Sequence, residues 1–154
     1  MDFDELRLLT IVRPLEVHIP ALPVSVNAMW RNNGRGRVYK VHKASSWENA
    51  AVLITRRAAM EAWGTYDLSA LKGYPLRLWV GVQKDTWFGK TKRTAHLMVS
   101  KGDLDNYVKS IFDALINGAL YLGDYAIDEY TVKACTGPGE GVFVKLSFLP
   151  KTLP

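Results

Sequence analysis

Residues 103–124 read DLDNYVKSIFDALINGALYLGD. Within this stretch Leu104, Tyr107, Val108, Ile111, Phe112 and Leu115 recur at helical spacing. They predict a helix from about Asp105 to Asn117, with Gly118 as its C-cap. Asp103 and Asp105 stand at its front, two residues apart, so they cannot share one helical face. They converge if Asp103 ends a loop and Asp105 opens the helix, where free N–H groups and the helix dipole favour carboxylates. Lys109 follows Asp105 by four residues on the same face. Beyond the helix Leu120, Tyr121 and Leu122 return apolar, and Gly123-Asp124 reads as a turn before the next strand.

The flanking sequence supplies a sheet for this helix. From Pro75 to Gln83, Leu76, Leu78, Val80 and Val82 alternate with other residues and predict a strand. Leu15 to Ile19 alternates in the same way around Glu16 and His18 and stops at Pro20. Glu129–Cys135 and Val142–Leu149 read as two strands joined by a turn over residues 137–141, a terminal β-hairpin. Pro23 to Asn33 reads as a loop. Ser45 and Glu48 have the spacing of a capping box, which opens a second helix running to Trp63 and stopped by Gly64. Its apolar face carries Trp47, Ala51, Ile54, Ala58 and Ala62. Residues 1–14 either pack as an extra element or dock on a partner. The expected fold is a single small α/β (α+β) domain over residues 1–154. It has a mixed β-sheet, two main helices packed on it and a terminal hairpin.

Composition bounds the function. The 154 residues suffice to bury roughly 70% of the unfolded surface in one core. One cysteine, Cys135, permits no internal disulfide and no zinc set, which fits a reducing cytoplasm. Asp2, Asp4 and Glu5 stand where a secretory signal would be basic, and no apolar run reaches membrane-spanning length. The expectation is a cytoplasmic protein with no membrane partner. The net charge is +5 and unevenly spread. Arg31, Arg35, Arg37, Lys40 and Lys43 form one acid-free run with Trp30 and Tyr39 interleaved. Lys84, Lys90, Lys92, Arg93 and Lys101 form another with Trp87 and Phe88, against Asp85 alone. Basic loops with aromatics suit a phosphate backbone and unstacked bases, although Lys and Arg also populate ordinary solvated loops.

Acids gathered in a basic protein need a counter-charge. Two unit charges ~4 Å apart at an effective dielectric of ~20 repel by roughly 4 kcal/mol. Three carboxylates at Asp103, Asp105 and Asp124 would therefore bind a hard cation such as Mg2+ or Mn2+. The alternative leaves Asp105 as an N-cap, Asp103 and Asp124 as solvated acids, and Lys109 in a weak surface ion pair. Asp113, Asp128 and Glu129 compete for the same roles. His18, His42 and His96 are scattered and suggest no nucleophilic chemistry.

The DLDNYVK run, the Phe112-Asp113-Ala114-Leu115 continuation and Tyr121-Leu122-Gly123-Asp124 together resemble the RusA family of Holliday-junction resolvases. Pro23-Val24-Ser25-Val26-Asn27, then Trp30-Arg31 and the run Gly34-Arg35-Gly36-Arg37, resemble that family's opening and its arginine-rich loop. The resemblance covers about residues 15–150. It departs where an arginine run often precedes the DLDN motif, where Gly123 replaces an acid, and where Val24 intervenes between proline and serine. It implies a homodimer that cuts four-way DNA junctions with Mg2+ or Mn2+. Asp103, Asp105 and Asp124 would be the metal acids and Lys109 the essential lysine. DNA contact would fall to Asn27, Arg31, Arg35, Arg37, Lys40, Lys43, Trp87, Phe88, Lys90, Lys92, Arg93 and Lys101. A broader branched-DNA nuclease and a non-catalytic DNA-binding protein are the rival readings.

Overall fold

The computed structural model describes residues 13–24, 30–32, 34, 36, 38–72, 74–84, 101–123, 125 and 127–149; for 30–32, 39, 101–103 and 105 it describes the backbone alone. The elements follow the order β1 (Leu15–Ile19), β2 (Trp30–Asn32), β3 (Val38–Lys40), α1 (His42–Trp63), a 3-10 turn (Ser69–Leu71) and β4 (Leu76–Gln83). Then come α2 (Lys101–Phe112), a π-helical continuation (Asp113–Ala119), β5 (Ile127–Cys135) and β6 (Gly141–Phe148).

Four strands form one mixed sheet in the order β1-β6-β4-β5. One face is continuously apolar: Leu15, Val17 and Ile19 from β1, Val142, Val144 and Leu146 from β6, and Leu76, Leu78, Val80 and Val82 from β4 are all buried. Both helical elements pack on this face. The alternation in β1 and β4 reflects a sheet covered on one side only. The other face is open, and Trp79, His18 and Phe143 lie on it, the last two stacked with centroids 4.3 Å apart.

The last two strands do not form a hairpin. β4 lies between β5 and β6, parallel to the first and antiparallel to the second, with Val80 opposite both Val132 and Val144. The physical reason is burial. β4 is buried along its whole inner face and takes a central place, whereas β5 is largely exposed and takes the edge. The connection over residues 136–140 therefore passes over the end of β4, where Gln83 Nε2 donates to the Pro138 carbonyl at 3.0 Å. Gly137 lets it pass close, since a Cβ there would meet the Gln83 side chain at 3.0 Å. Parallel neighbours need a crossover, and α2 with its π continuation supplies the one between β4 and β5.

Several local expectations are also revised. Trp30–Asn32 is a strand, paired antiparallel with Val38–Lys40 across a connection in which Gly34 and Gly36 take positive φ. The first helix opens at His42 rather than Ser45. Its N-cap is Val41, which makes no side-chain cap, and Glu48 pairs with Lys40 at 2.6 Å instead of reaching back to Ser45. Gly64 does end it, in the left-handed conformation. The buried stripe of α1 is Ala44, Trp47, Ala51, Thr55, Ala59 and Trp63, while Ala62 is exposed. Both indoles tie down incoming chain: Trp47 donates to the Ala21 carbonyl at 3.0 Å and Trp63 to that of Arg13 at 2.8 Å. The second helix starts at Lys101 and runs through Gly118, so Gly118 is no cap. A Cβ on Gly118 would lie 3.3 Å from Val52, so its lack of a side chain allows close packing on α1. Among the described residues no helix is long and apolar enough to cross a membrane.

Two substitutions probe this core in opposite directions. Leu78→Ala should lower the unfolding free energy by about 3 kcal/mol, because it empties a fully enclosed site under α1 and α2. Thr55 Oγ1 is buried with no hydrogen-bond partner among the described residues. Thr55→Val, similar in shape and free of the hydroxyl, should raise stability by about 1 kcal/mol in urea denaturation.

Candidate active site

The crossover rod carries the motif. Asp103 and Asp105 are the third and fifth residues of α2, so both lie within the helix rather than one before it. Their side chains, all of Asp124, and the segment 85–100 with Trp87, Phe88, Lys90, Lys92 and Arg93 lie outside the described residues, as do Asn27, Arg35 and Arg37. Lys109 is exposed and makes no ion pair among the described residues. Tyr107, one turn beyond Asp103, is buried. The Lys84 ammonium stands 6.0 Å from its ring centroid, so the N-terminal part of α2 sits beside the end of β4. Ligand sites in sheets with parallel pairs gather at the carboxyl ends of strands, and the motif lies at that end.

The opening segment is fastened to the same helix. Ser110 is almost wholly buried, and its hydroxyl donates to the Val24 carbonyl at 3.3 Å. With Trp47 holding the Ala21 carbonyl, residues 21–24 bridge α1 and α2. The chain that leads to Asn27 therefore starts from the helix bearing Asp103 and Asp105. Sequence reading gave no sign of Ser110, because a lone serine on a helix has no pattern.

The Asp124 side is built differently. The rod does not stop at Asn117 but widens into a π-helix, and Leu120 N–H then donates to Leu115 O at 3.2 Å. Leu122 N–H donates to Ile116 O at 2.9 Å, and the Leu122 side chain is fully buried. Tyr121 has φ +58°, a left-handed value unusual for a residue with a side chain, and Gly123 comes next but one at φ +74°. This turn lies at the far end of the rod. From Asp105 to Ala119 the axis advances about 20 Å at helical rise. Within one chain the backbone thus sets Asp103 and Asp105 at one end and the turn that leads to Asp124 at the other.

Of the three competing acids, Asp128 is exposed on β5 and the other two are engaged by neighbours. Glu129 accepts from Arg77 Nε at 2.6 Å across the β4–β5 register, on the sheet face turned away from the helices. That hydrogen bond and the guanidinium charge hold its carboxyl below the ordinary carboxylate range. Asp113 is exposed and accepts from Asn117 Nδ2 one turn on. Of the described histidines and the cysteine, His18 and Cys135 belong to the open sheet face, and His42 opens α1. Among the described residues no three His, Cys, Asp or Glu side chains cluster to hold a metal ion. The donor chemistry of Asp103, Asp105 and Asp124, carboxylates alone, fits a hard divalent cation. On the basic side, Lys40 is engaged by Glu48, Lys43 is exposed on α1, and Lys101 is the first residue of α2.

A family model described as endodeoxyribonuclease RusA matches residues 20–147, which takes in both helices, the motif and nearly all of β6. The chain belongs to the RusA endodeoxyribonuclease family. Among curated proteins none matches it closely enough to count as a relative. Membership makes DNA its partner and places it among nucleases that generally require a divalent metal.

Ser110→Ala should cost about 1 kcal/mol of stability by leaving the Val24 carbonyl without its donor. Hydrogen exchange should locate the loss, with faster exchange at the amides of Leu22 and Val24 and little change in β4.

Proposed function

We propose that this protein resolves four-way DNA junctions by paired symmetric nicks, as a homodimer whose two active sites each draw on both copies. The observation that supports this reading most is the family match itself, since it spans every residue of the motif. The geometry of the rod adds the composite site. Asp103 and Asp105 lie in the first turns of a rod whose far end, Ala119, is about 20 Å on along the axis and precedes Asp124 in sequence. Carboxylates that share one cation must lie within a few ångströms of it. Two copies related by a two-fold axis bring the start of one rod to the end of the other, and satisfy this twice.

In this reading Asp103 and Asp105 of one copy and Asp124 of the second hold Mg2+ or Mn2+. When bound, the cation supplies Lewis-acid polarisation of the phosphate and a water of lowered pKa. Lys109, exposed one turn from Asp105 and unpaired among the described residues, is free to offset charge on a phosphate oxygen as it develops. Cutting leaves a 5′-phosphate and a 3′-hydroxyl, ends that a ligase can join. The segments 31–43 and 84–101 supply sequence-independent contacts to the DNA backbone. A two-fold enzyme matches the approximate two-fold symmetry of a four-way junction, so paired nicks follow from geometry.

The test compares a labelled four-way junction with matched duplex and flap substrates, with Mg2+ or Mn2+ and with chelator. Asp105→Asn and Asp124→Asn should each lose cutting by at least about a hundredfold while still binding the junction. Mixed and re-equilibrated, the two inactive variants should regain single-strand nicking, because a heterodimer has one intact composite site. Absence of recovery, with heterodimers demonstrated by mass, would reject the shared site. Equal cutting of flaps would move the substrate to branched DNA in general. Junction affinity should fall steeply with salt; an affinity indifferent to salt would remove the basic segments from the interface.

A further inference from the structure

The π-helical end of the rod is held by a residue with no place in the motif. Arg56, half-buried on α1, directs its guanidinium at the closing turn. Nη2 donates to the Gly118 carbonyl at 3.1 Å and to the Tyr121 hydroxyl at 2.6 Å, and Nε donates to the Ala119 carbonyl at 3.4 Å. The guanidinium carbon also lies 4.8 Å from the Tyr66 ring centroid and 5.3 Å from that of Tyr121. No carboxylate pairs with it among the described residues. The cation is committed to a helix C-terminus, where unsatisfied carbonyls concentrate partial negative charge.

This clamp acts where the chain is under most constraint. Tyr121 holds a left-handed φ that costs free energy for a side-chain-bearing residue and persists only when its surroundings determine it. Leu68 N–H holds the Leu120 carbonyl at 3.1 Å on one side, and the buried Leu122 anchors the other. Asp124 comes two residues after that anchor. A π-helical segment is rare, and such segments recur at functional sites. Its extra residue turns the rest of the chain to a new direction at the helix end. The Arg56 fork meets the carbonyls of this wide ending and lies against the Tyr66 and Tyr121 rings.

We propose that Arg56 is a positioning residue for the active site: it sets the turn at Tyr121 and thereby where Asp124 is presented. The inference rests on the assignment of Asp124 as a metal acid made above.

The test uses Arg56→Gln, Arg56→Lys, Tyr121→Phe and, in parallel, Asp124→Asn, all as dimers of verified mass. Mn2+ affinity is read without DNA from the EPR signal of free Mn2+, and the Mg2+ midpoint for junction cutting is read at saturating DNA. Arg56→Gln should weaken Mn2+ binding and raise the Mg2+ midpoint at least about tenfold, with junction affinity in chelator within about twofold of wild type. Arg56→Lys, which keeps a donor but loses the planar fork and much of the stacking, should recover part of the loss. If Arg56→Gln does not fold, Tyr121→Phe, which removes only one acceptor, should still raise the midpoint severalfold. A lowered melting temperature with unchanged Mn2+ affinity and midpoint would show a merely structural contact and overturn the proposal. Wild-type Mn2+ affinity and cutting in Asp124→Asn would instead overturn the assignment beneath it, and the proposal with it.

Discussion

The apolar face shared by β1, β6 and β4 governs the arrangement of everything functional. Its ten buried aliphatic side chains leave nowhere for a helix to pack except across them. Because β4 must be covered along its full length, it takes the centre of the sheet, and the chain that leaves it has to return as a parallel neighbour. That return is the rod bearing the motif. The direction of the rod, antiparallel to β4 and β5, is thus a consequence of burial. It places one end of the rod at the carboxyl ends of the strands and the other end at their starts.

α1 completes the frame from the opposite edge. Its indoles fix the chain before β1 and after it, and its polar flank reaches the end of the rod through Arg56. One helix therefore holds the opening segment, which meets the rod at Ser110, and the closing turn at the rod's end. Neither task shows as a motif. Both are carried by backbone carbonyls accepting from side chains distant in sequence.

Much of this was legible from residues alone, and the exceptions have a common cause. The strands at Leu15–Ile19 and Leu76–Gln83 announced themselves by alternation because one face of the sheet meets solvent. Both helices were visible for a similar reason, and Gly64 marked a true stop. What failed was decided by tertiary contact. Ser45 and Glu48 had capping spacing, but Lys40 claimed Glu48 across the end of β3. Gly118 looked like a cap, yet it is a packing gap against Val52, and the left-handed residue is Tyr121. The final hairpin was inferred from proximity in sequence, whereas burial inserted β4 between its strands. The motif acids were legible as residue types; the length of the rod between Asp105 and the turn at Tyr121 was not, because the helix starts earlier and ends later than periodicity suggested.

The pairing of β1 with β6 joins Leu15 to Leu146, so a strand made early in translation waits for one made much later. β6 is interior to the sheet, and β4 has only its edge partner until it arrives. Such long-range closure is slow compared with local helix formation. Until residues 141–148 join, β1 has no partner in the four-stranded sheet and stays separate from β4 and β5.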